Sequence, residues 1–292
     1  MKISSMFSPG KTVFSFEVFP PKKTSPVETI YETLDALHTL NPDFISVTYG
    51  AGGNAADSST CDIASIIKHK YHIEPLAHLT CINSSREDVD INLQRLADND
   101  IENILALRGD INPDLPPKQD FAHASDLISY IKAKTGDRFH LSGACYPEGH
   151  QDSPSLVDDV LALRKKVDAG ANHLISQLFF DNSYFYSFVE RARIAGITVP
   201  IEAGIMPVTN RKQIEKMVVM CGASLPPKFT KIMQKYEHRP EALRDAGIAY
   251  AIDQIVDLLS HGVDGIHLYT MNNPYIARRI TESISSLLQT GA

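Results

Sequence analysis

Short β-rich runs alternate with longer amphipathic segments from one end of the chain to the other, the pattern of repeated βα units around a parallel sheet. The pattern predicts eight strands: Phe14–Phe19, Phe44–Tyr49, Leu76–Cys81, Ile104–Arg108, His140–Tyr146, His173–Phe179, Ile201–Met206 and Ile266–Thr270. Ser25-Pro26, Ser153-Pro154 and Thr209-Asn210 supply N-caps or first-turn prolines for the helices between them. A Pro-rich loop, Asn112–Gln119, follows the fourth strand. A longer insertion, Cys221 to Gly262, precedes the last and reads as two helices, from Pro227 to about Tyr236 and from Arg239 to about Ser260. Eight evenly distributed units favour a closed (β/α)8 TIM barrel with an extra helical insertion before the last strand, formed by residues 1–292 as a single catalytic domain. A doubly wound open sheet is the runner-up, but it would normally carry a G-x-G-x-x-G after the first strand, which this chain lacks.

The 292 residues and 43% hydrophobic content suit one large α/β domain. No run approaches the roughly 18 apolar residues of a membrane span, and residues 1–11 lack the features of a signal peptide, so a cytoplasmic protein is expected. The net charge of −7 argues against nucleic acid as a partner. Four scattered cysteines, without a C-x-x-C, suggest neither a zinc site nor a disulfide framework.

Barrel strands are expected to be apolar on both faces, so polar residues near their C-terminal ends need a reason, and active sites of this fold lie at that end. Side-chain alternation sets Glu17 apart from Phe14, Phe16 and Val18. The same parity argument assigns Thr48, His78, Arg108, Tyr146 and Gln177 to the rim with Glu17. Singly, His78 reads as a core histidine and Glu17 as a partner for Arg108; six together point to function.

At these residues the sequence resembles the methylenetetrahydrofolate reductases. The resemblance is carried by Phe14-Ser15-Phe16-Glu17-Val18-Phe19-Pro20-Pro21, Val47-Thr48-Tyr49-Gly50-Ala51, His78-Leu79-Thr80-Cys81, Ala106-Leu107-Arg108-Gly109-Asp110 and Tyr146-Pro147-Glu148-Gly149-His150. Lys166-Val167-Asp168-Ala169-Gly170-Ala171, Gln177-Leu178-Phe179-Phe180-Asp181, Gly204-Ile205-Met206-Pro207-Val208 and His267-Leu268-Tyr269-Thr270-Met271-Asn272 extend it in the right order. The length resembles that of the family's compact bacterial form, so the catalytic barrel alone is expected.

The resemblance implies a noncovalent FAD contacted by Thr48, His78, Arg108, Gly109, Asp110, Ala144, Tyr146, His150, Asp159 and Lys166. It implies Glu17 as the general acid that opens the five-membered ring of 5,10-methylenetetrahydrofolate, and Asp110 as the acid beside the flavin and pterin. Gln177 matches an amide shared by nicotinamide and pterin, and Gln213 a folate contact. The implied cycle is ping-pong: NADH or NADPH, with NADH favoured, reduces FAD, and 5,10-methylenetetrahydrofolate then leaves as 5-methyltetrahydrofolate, feeding methionine synthesis. A homo-oligomer is expected. Asn273 stands where the family motif continues to an arginine, and Met217 where some members place a phenylalanine. Chemistry agrees with several positions: Arg108, His150 and Lys166 offer donors for a diphosphate or ribityl chain, and an inward carboxyl at Glu17 favours its protonated form through desolvation. The alternatives are a flavin-free pterin-binding methyltransferase barrel, a metal-dependent barrel hydrolase, for which no H-x-H stands at the first strand, and a non-enzymatic binding module.

Overall fold

The structure, a computed structural model, describes residues 1–21, 28–49, 59–111, 117–210, 214, 218 and 221–288. Gln213 and Met217, parts of the Asn112–Gln119 loop, and Gly50 and Ala51 lie outside the described residues.

Eight strands run β1 (Val13–Val18), β2 (Phe44–Val47), β3 (Glu74–Thr80), β4 (Asn103–Leu107), β5 (His140–Cys145), β6 (His173–Ser176), β7 (Ile201–Ile205) and β8 (Gly265–Tyr269). They close into a barrel in sequence order, and the recorded pairings are parallel. The helices are α1 (Glu28–Leu37), α2 (Ser59–His69), α3 (Arg86–Asp98), α4 (Ala124–Thr135), α5 (Leu156–Asp168), α6 (Asn182–Ile194), α7 (Pro227–Tyr236), α8 (Pro240–Ser260) and α9 (Pro274–Leu288). Each strand lies within a residue or two of its predicted start. Most end a residue sooner than predicted.

By contact density the chain resolves into two compact units. The first comprises Met1–Met6, Ser15–Ala144 and Lys165–Leu174. Its strands are lined by Phe16, Phe44, Ile45, Leu76, Ile104 and Leu141, all essentially inaccessible. Helix α3 starts in a capping box in which the Ser85 hydroxyl accepts from the Asp88 N–H and the Asp88 carboxylate accepts from the Ser85 N–H. Burial in this unit is not wholly apolar. At the N-terminal ends of their strands, Asn103, His140 and His173 are at most 1% exposed. Asn103 accepts the Ile3 N–H at 2.9 Å, and the Ser142 hydroxyl lies 3.2 Å from His140 Nε2 and 2.9 Å from His173 Nδ1. Burial, then the neighbouring His173, depress the His140 imidazole to about 3.

The second unit comprises Phe7–Phe14, Cys145–Arg164 and Ile175–Ala292. It contains the predicted insertion as α7 and α8, each opened by a proline in its first turn. These helices bury Phe229, Met233 and Leu243 against Leu178, Phe180, Met206 and Val208. Phe229 stacks on Phe180 at 4.6 Å and meets Tyr250 edge-on at 5.0 Å. Helix α8 approaches the chain after β7 so closely that a Cβ on Gly247 would stand 1.6 Å from the Val208 carbonyl oxygen, so only glycine fits. The insertion therefore packs against the segments that follow β6 and β7.

Candidate functional site

In the first unit, register sets which side chains share a face, because Cα partners in a parallel pair point the same way. Glu17 pairs with Ser46, and Ser46 with Leu76. Alternation then puts Glu17, Thr48 and His78 on one face. The geometry agrees: Glu17 Oε2 lies 3.6 Å from His78 Nε2, with the two side chains 19% and 7% exposed. Thr48 follows β2 and keeps the ladder going, its N–H donating to the Val18 carbonyl at 3.0 Å.

Arg108 departs from the parity expected of it. His78 pairs with Leu105, and Thr80 with Leu107, so alternation turns residue 108 away from the His78 face. The ladder also loses its regularity there, since the Cys81 N–H is shared between the Leu107 and Arg108 carbonyls at 3.2 Å each. The next residue, Gly109, has φ +87°, and a Cβ on it would lie 3.0 Å from Thr80 Cβ. A side chain is thus disfavoured twice over, by conformation and by space, and the turn presents bare backbone beside the half-buried Arg108. Asp110 follows it, exposed to solvent.

Two more sequence-predicted residues meet in this unit. Lys166 Nζ donates to the Ala144 carbonyl at 2.8 Å, so the lysine ammonium is anchored at the end of β5 and does not simply extend into solvent from a helix face.

The second unit gathers Tyr146, His150 and Asp159 on the β5–α5 connection. Asp159, 7% exposed, accepts from the His150 N–H at 3.1 Å and from the Ser153 hydroxyl at 3.0 Å, folding the loop back on the first turn of α5. The His150 ring stands edge-on to Tyr146 at 4.6 Å. The Asp152 N–H donates to His150 Nδ1 at 3.0 Å. A backbone N–H can only donate, so Nδ1 is the acceptor and the ring proton of the neutral imidazole sits on Nε2. Gln177 follows β6, half-buried, with its N–H on the Cys145 carbonyl and its Oε1 accepting from the Leu178 N–H at 2.9 Å.

Sequence reasoning gave no role to Ser176, Gly204 or Tyr269, which surround Gln177. The Tyr269 hydroxyl donates to the Ser176 carbonyl at 2.7 Å, and the Gly204 N–H to the Ser176 hydroxyl at 2.9 Å. The available signal was the glycine at the fourth position of β7, where the chain admits no side chain. All four cysteines are free, and burial pushes the Cys81 thiol up to about 12 and Cys61 to about 11, which makes both poor nucleophiles. Among the described residues no cluster of three potential metal ligands occurs, and no helix is long and apolar enough to cross a membrane.

Comparison with known proteins gives a consistent result. The family model described as methylenetetrahydrofolate reductase matches residues 2–285. The 5,10-methylenetetrahydrofolate reductase of Pectobacterium carotovorum subsp. carotovorum is 38% identical over 275 residues, covering 94% of this chain and 91% of that protein. Methylenetetrahydrofolate reductase (NADH) 1 of Arabidopsis thaliana is 39% identical over 289 residues, covering 93% of this chain but 48% of its own length. The chain thus spans about half the length of the plant relatives it matches. Among solved structures, an uncharacterized protein from Clostridium thermocellum that binds two copies of 5-methyl-5,6,7,8-tetrahydrofolic acid superposes with a TM-score of 0.67 at 14% identity, covering 95% of each chain, a likeness of fold. With the family model matching residues 2–285 and a bacterial relative covered over 91% of its length, the chain belongs to the methylenetetrahydrofolate reductase family.

Proposed function

We propose that the whole chain works as one catalytic barrel that reduces 5,10-methylenetetrahydrofolate to 5-methyltetrahydrofolate, with NADH or NADPH as hydride source and a noncovalent FAD as carrier. The observation that carries this reading is the sheltered Glu17 carboxyl at the C-terminal end of β1, 3.6 Å from His78. A binding module gives no reason for an acid there.

The residues present fit a flavin dinucleotide. Gly109 offers backbone where a Cβ would fill the space, and the donor set of the Arg108 guanidinium, the Lys166 ammonium and the His150 Nε2–H suits phosphate and ribityl oxygens. Thr48, His78, Asp110, Ala144, Tyr146 and Asp159 complete the proposed set, with Asp159 acting through the loop that carries His150. When bound, FAD supplies two-electron hydride transfer between nicotinamide and the folate one-carbon unit.

The remaining chemistry falls to side chains. Hydride cannot reach the one-carbon unit while it bridges two nitrogens in a closed ring. Glu17 holds a proton on its carboxyl and delivers it to a folate nitrogen, opening the ring to an electrophilic iminium. The Asp110 carboxylate stabilises that cationic character and bonds the pterin. Gln177 contacts nicotinamide and pterin in turn, and Gln213 is assigned to the folate. Two ligands that share one contact residue must take turns, in keeping with a ping-pong cycle. The reading extends to NADH as the preferred donor, to a cytoplasmic homo-oligomer, and to a product that feeds methionine synthesis. That a barrel of this fold binds 5-methyl-5,6,7,8-tetrahydrofolic acid supports a pterin ligand here.

The test is anaerobic absorbance of the purified protein. The expected preparation is yellow, is bleached by NADH alone, and recovers its colour on adding 5,10-methylenetetrahydrofolate while 5-methyltetrahydrofolate accumulates. A colourless protein that cannot be reconstituted with FAD would favour the flavin-free pterin-binding methyltransferase instead.

A further inference from the structure

The proposed contact of Gln177 with both substrates raises a question about direction: a carboxamide can donate or accept, and only one orientation suits a given ligand atom. The chain fixes it. The Leu178 N–H lies 2.9 Å from one end of the Gln177 side chain, and because a backbone N–H can only donate, that end is Oε1. Among the described residues the two Nε2 hydrogens have no partner. A ligand that meets the Nε2 end of Gln177 therefore meets donors, and must offer that end an acceptor. The nicotinamide carbonyl and the oxo and nitrogen edge of a pterin both do.

What holds the residue in this pose is a strap of hydrogen bonds from β5, β7 and β8. The Gln177 N–H donates to the Cys145 carbonyl at 2.7 Å, and the Ser176 hydroxyl donates to the Gln177 carbonyl at 3.0 Å while accepting the Gly204 N–H at 2.9 Å. The Tyr269 phenol reaches across from β8 and donates to the Ser176 carbonyl at 2.7 Å, on the peptide that joins Ser176 to Gln177. Its path crosses Gly204 on β7. A Cβ there would stand 2.2 Å from the Ser176 carbonyl oxygen, 2.8 Å from the Tyr269 hydroxyl oxygen and 2.9 Å from its Cε2, so the phenol takes the space a side chain would occupy.

From this geometry we infer that Tyr269, passing over Gly204 to the Ser176 carbonyl, is a positioning residue that holds Gln177 donor-outward toward both substrates. The inference rests on the function proposed above and adds to it a stated acceptor requirement and the residue that enforces it.

A double-mutant cycle tests it, with kcat/KM measured for NADH in the quinone assay and for 5,10-methylenetetrahydrofolate in the reductase assay, in wild type, Q177A, Y269F and the double variant. Loss of one hydrogen bond predicts that Y269F lowers both values about 2- to 10-fold. Because Tyr269 acts through Gln177, the double variant should match Q177A alone. Losses that multiply, or a silent Y269F, would overturn the role of Tyr269. Gln177→Glu provides an arm that does not depend on Tyr269: it keeps an oxygen for the Leu178 N–H and removes the outward donors. It should weaken both ligands, and wild-type values there would overturn the donor assignment. A wild-type protein that reduces neither quinone nor folate refutes the proposed function itself, whereas an active wild type with multiplying losses refutes only the positioning role.

Discussion

Glu17 and His78 belong to β1 and β3, with β2 between them, yet their side-chain atoms Oε2 and Nε2 stand 3.6 Å apart. The Glu17–Ser46 and Ser46–Leu76 pairings set the face, and the pleat two residues beyond Leu76 brings His78 to the acid. An imidazole this near a carboxyl is part of the electrostatic surroundings of its proton. Replacing His78 with Gln should therefore move the pH profile of folate reduction, measured as kcat/KM against pH. A profile superimposable on that of wild type would show that the imidazole takes no part in handling the Glu17 proton.

Gly109 supports a second expectation. Alanine there must adopt φ near +87° with its Cβ against Thr80, so G109A should lower stability by about 1–2 kcal/mol. If the bare turn also admits the cofactor, the variant should purify with less bound FAD, read as the ratio of flavin to protein absorbance. Full occupancy would remove Gly109 from the binding surface.

Much of this was legible in the sequence. The eight strands, the two insertion helices and the Glu17–Thr48–His78 face follow from periodicity, prolines and alternation, all local signals. The parity argument for Arg108 failed because alternation within one strand does not give the register between strands: His78 pairs with Leu105, which puts residue 108 at the opposite parity. The buried polar residues at the N-terminal strand ends were missed for a different reason. Asn103, His140 and His173 open their strands, and a barrel interior was expected to be apolar; the hint was a histidine at the head of two successive strands. The Tyr269–Ser176 bond joins residues far apart in sequence and has no local signature.

His140 gives a prediction about acid. Its imidazole is depressed from 6.5 to about 3 by burial and by His173, so it stays neutral in the folded chain while the unfolded chain takes up a proton below about pH 6.5. Folding stability should then fall as pH drops from about 6.5 toward 3, with a slope from this group approaching about 1.4 kcal/mol per pH unit. In urea titrations across that range H140Q should show a flatter dependence than wild type. An unchanged slope would mean that His140 is not buried neutral.

Asp88 acts at lower pH. The Lys118 ammonium, with the Ser85 N–H and hydroxyl, holds its carboxyl down to about 2 from 3.8, so its contribution is present above about pH 4 and lost as pH falls through about 2. D88A should cost about 1 kcal/mol at neutral pH through the broken capping box of α3. The gap from wild type should close between about pH 4 and 2 in chemical denaturation.

Glu17 bears the central claim, and replacing it with Gln separates the two halves of the cycle while keeping size and shape. E17Q should still pass electrons from NADH to a quinone acceptor, because that flow needs no protonated folate nitrogen, and should lose 5,10-methylenetetrahydrofolate reduction by about 100-fold or more. Equal loss of both activities, or folate reduction at the wild-type rate, would contradict the assignment of Glu17 as the acid that opens the ring.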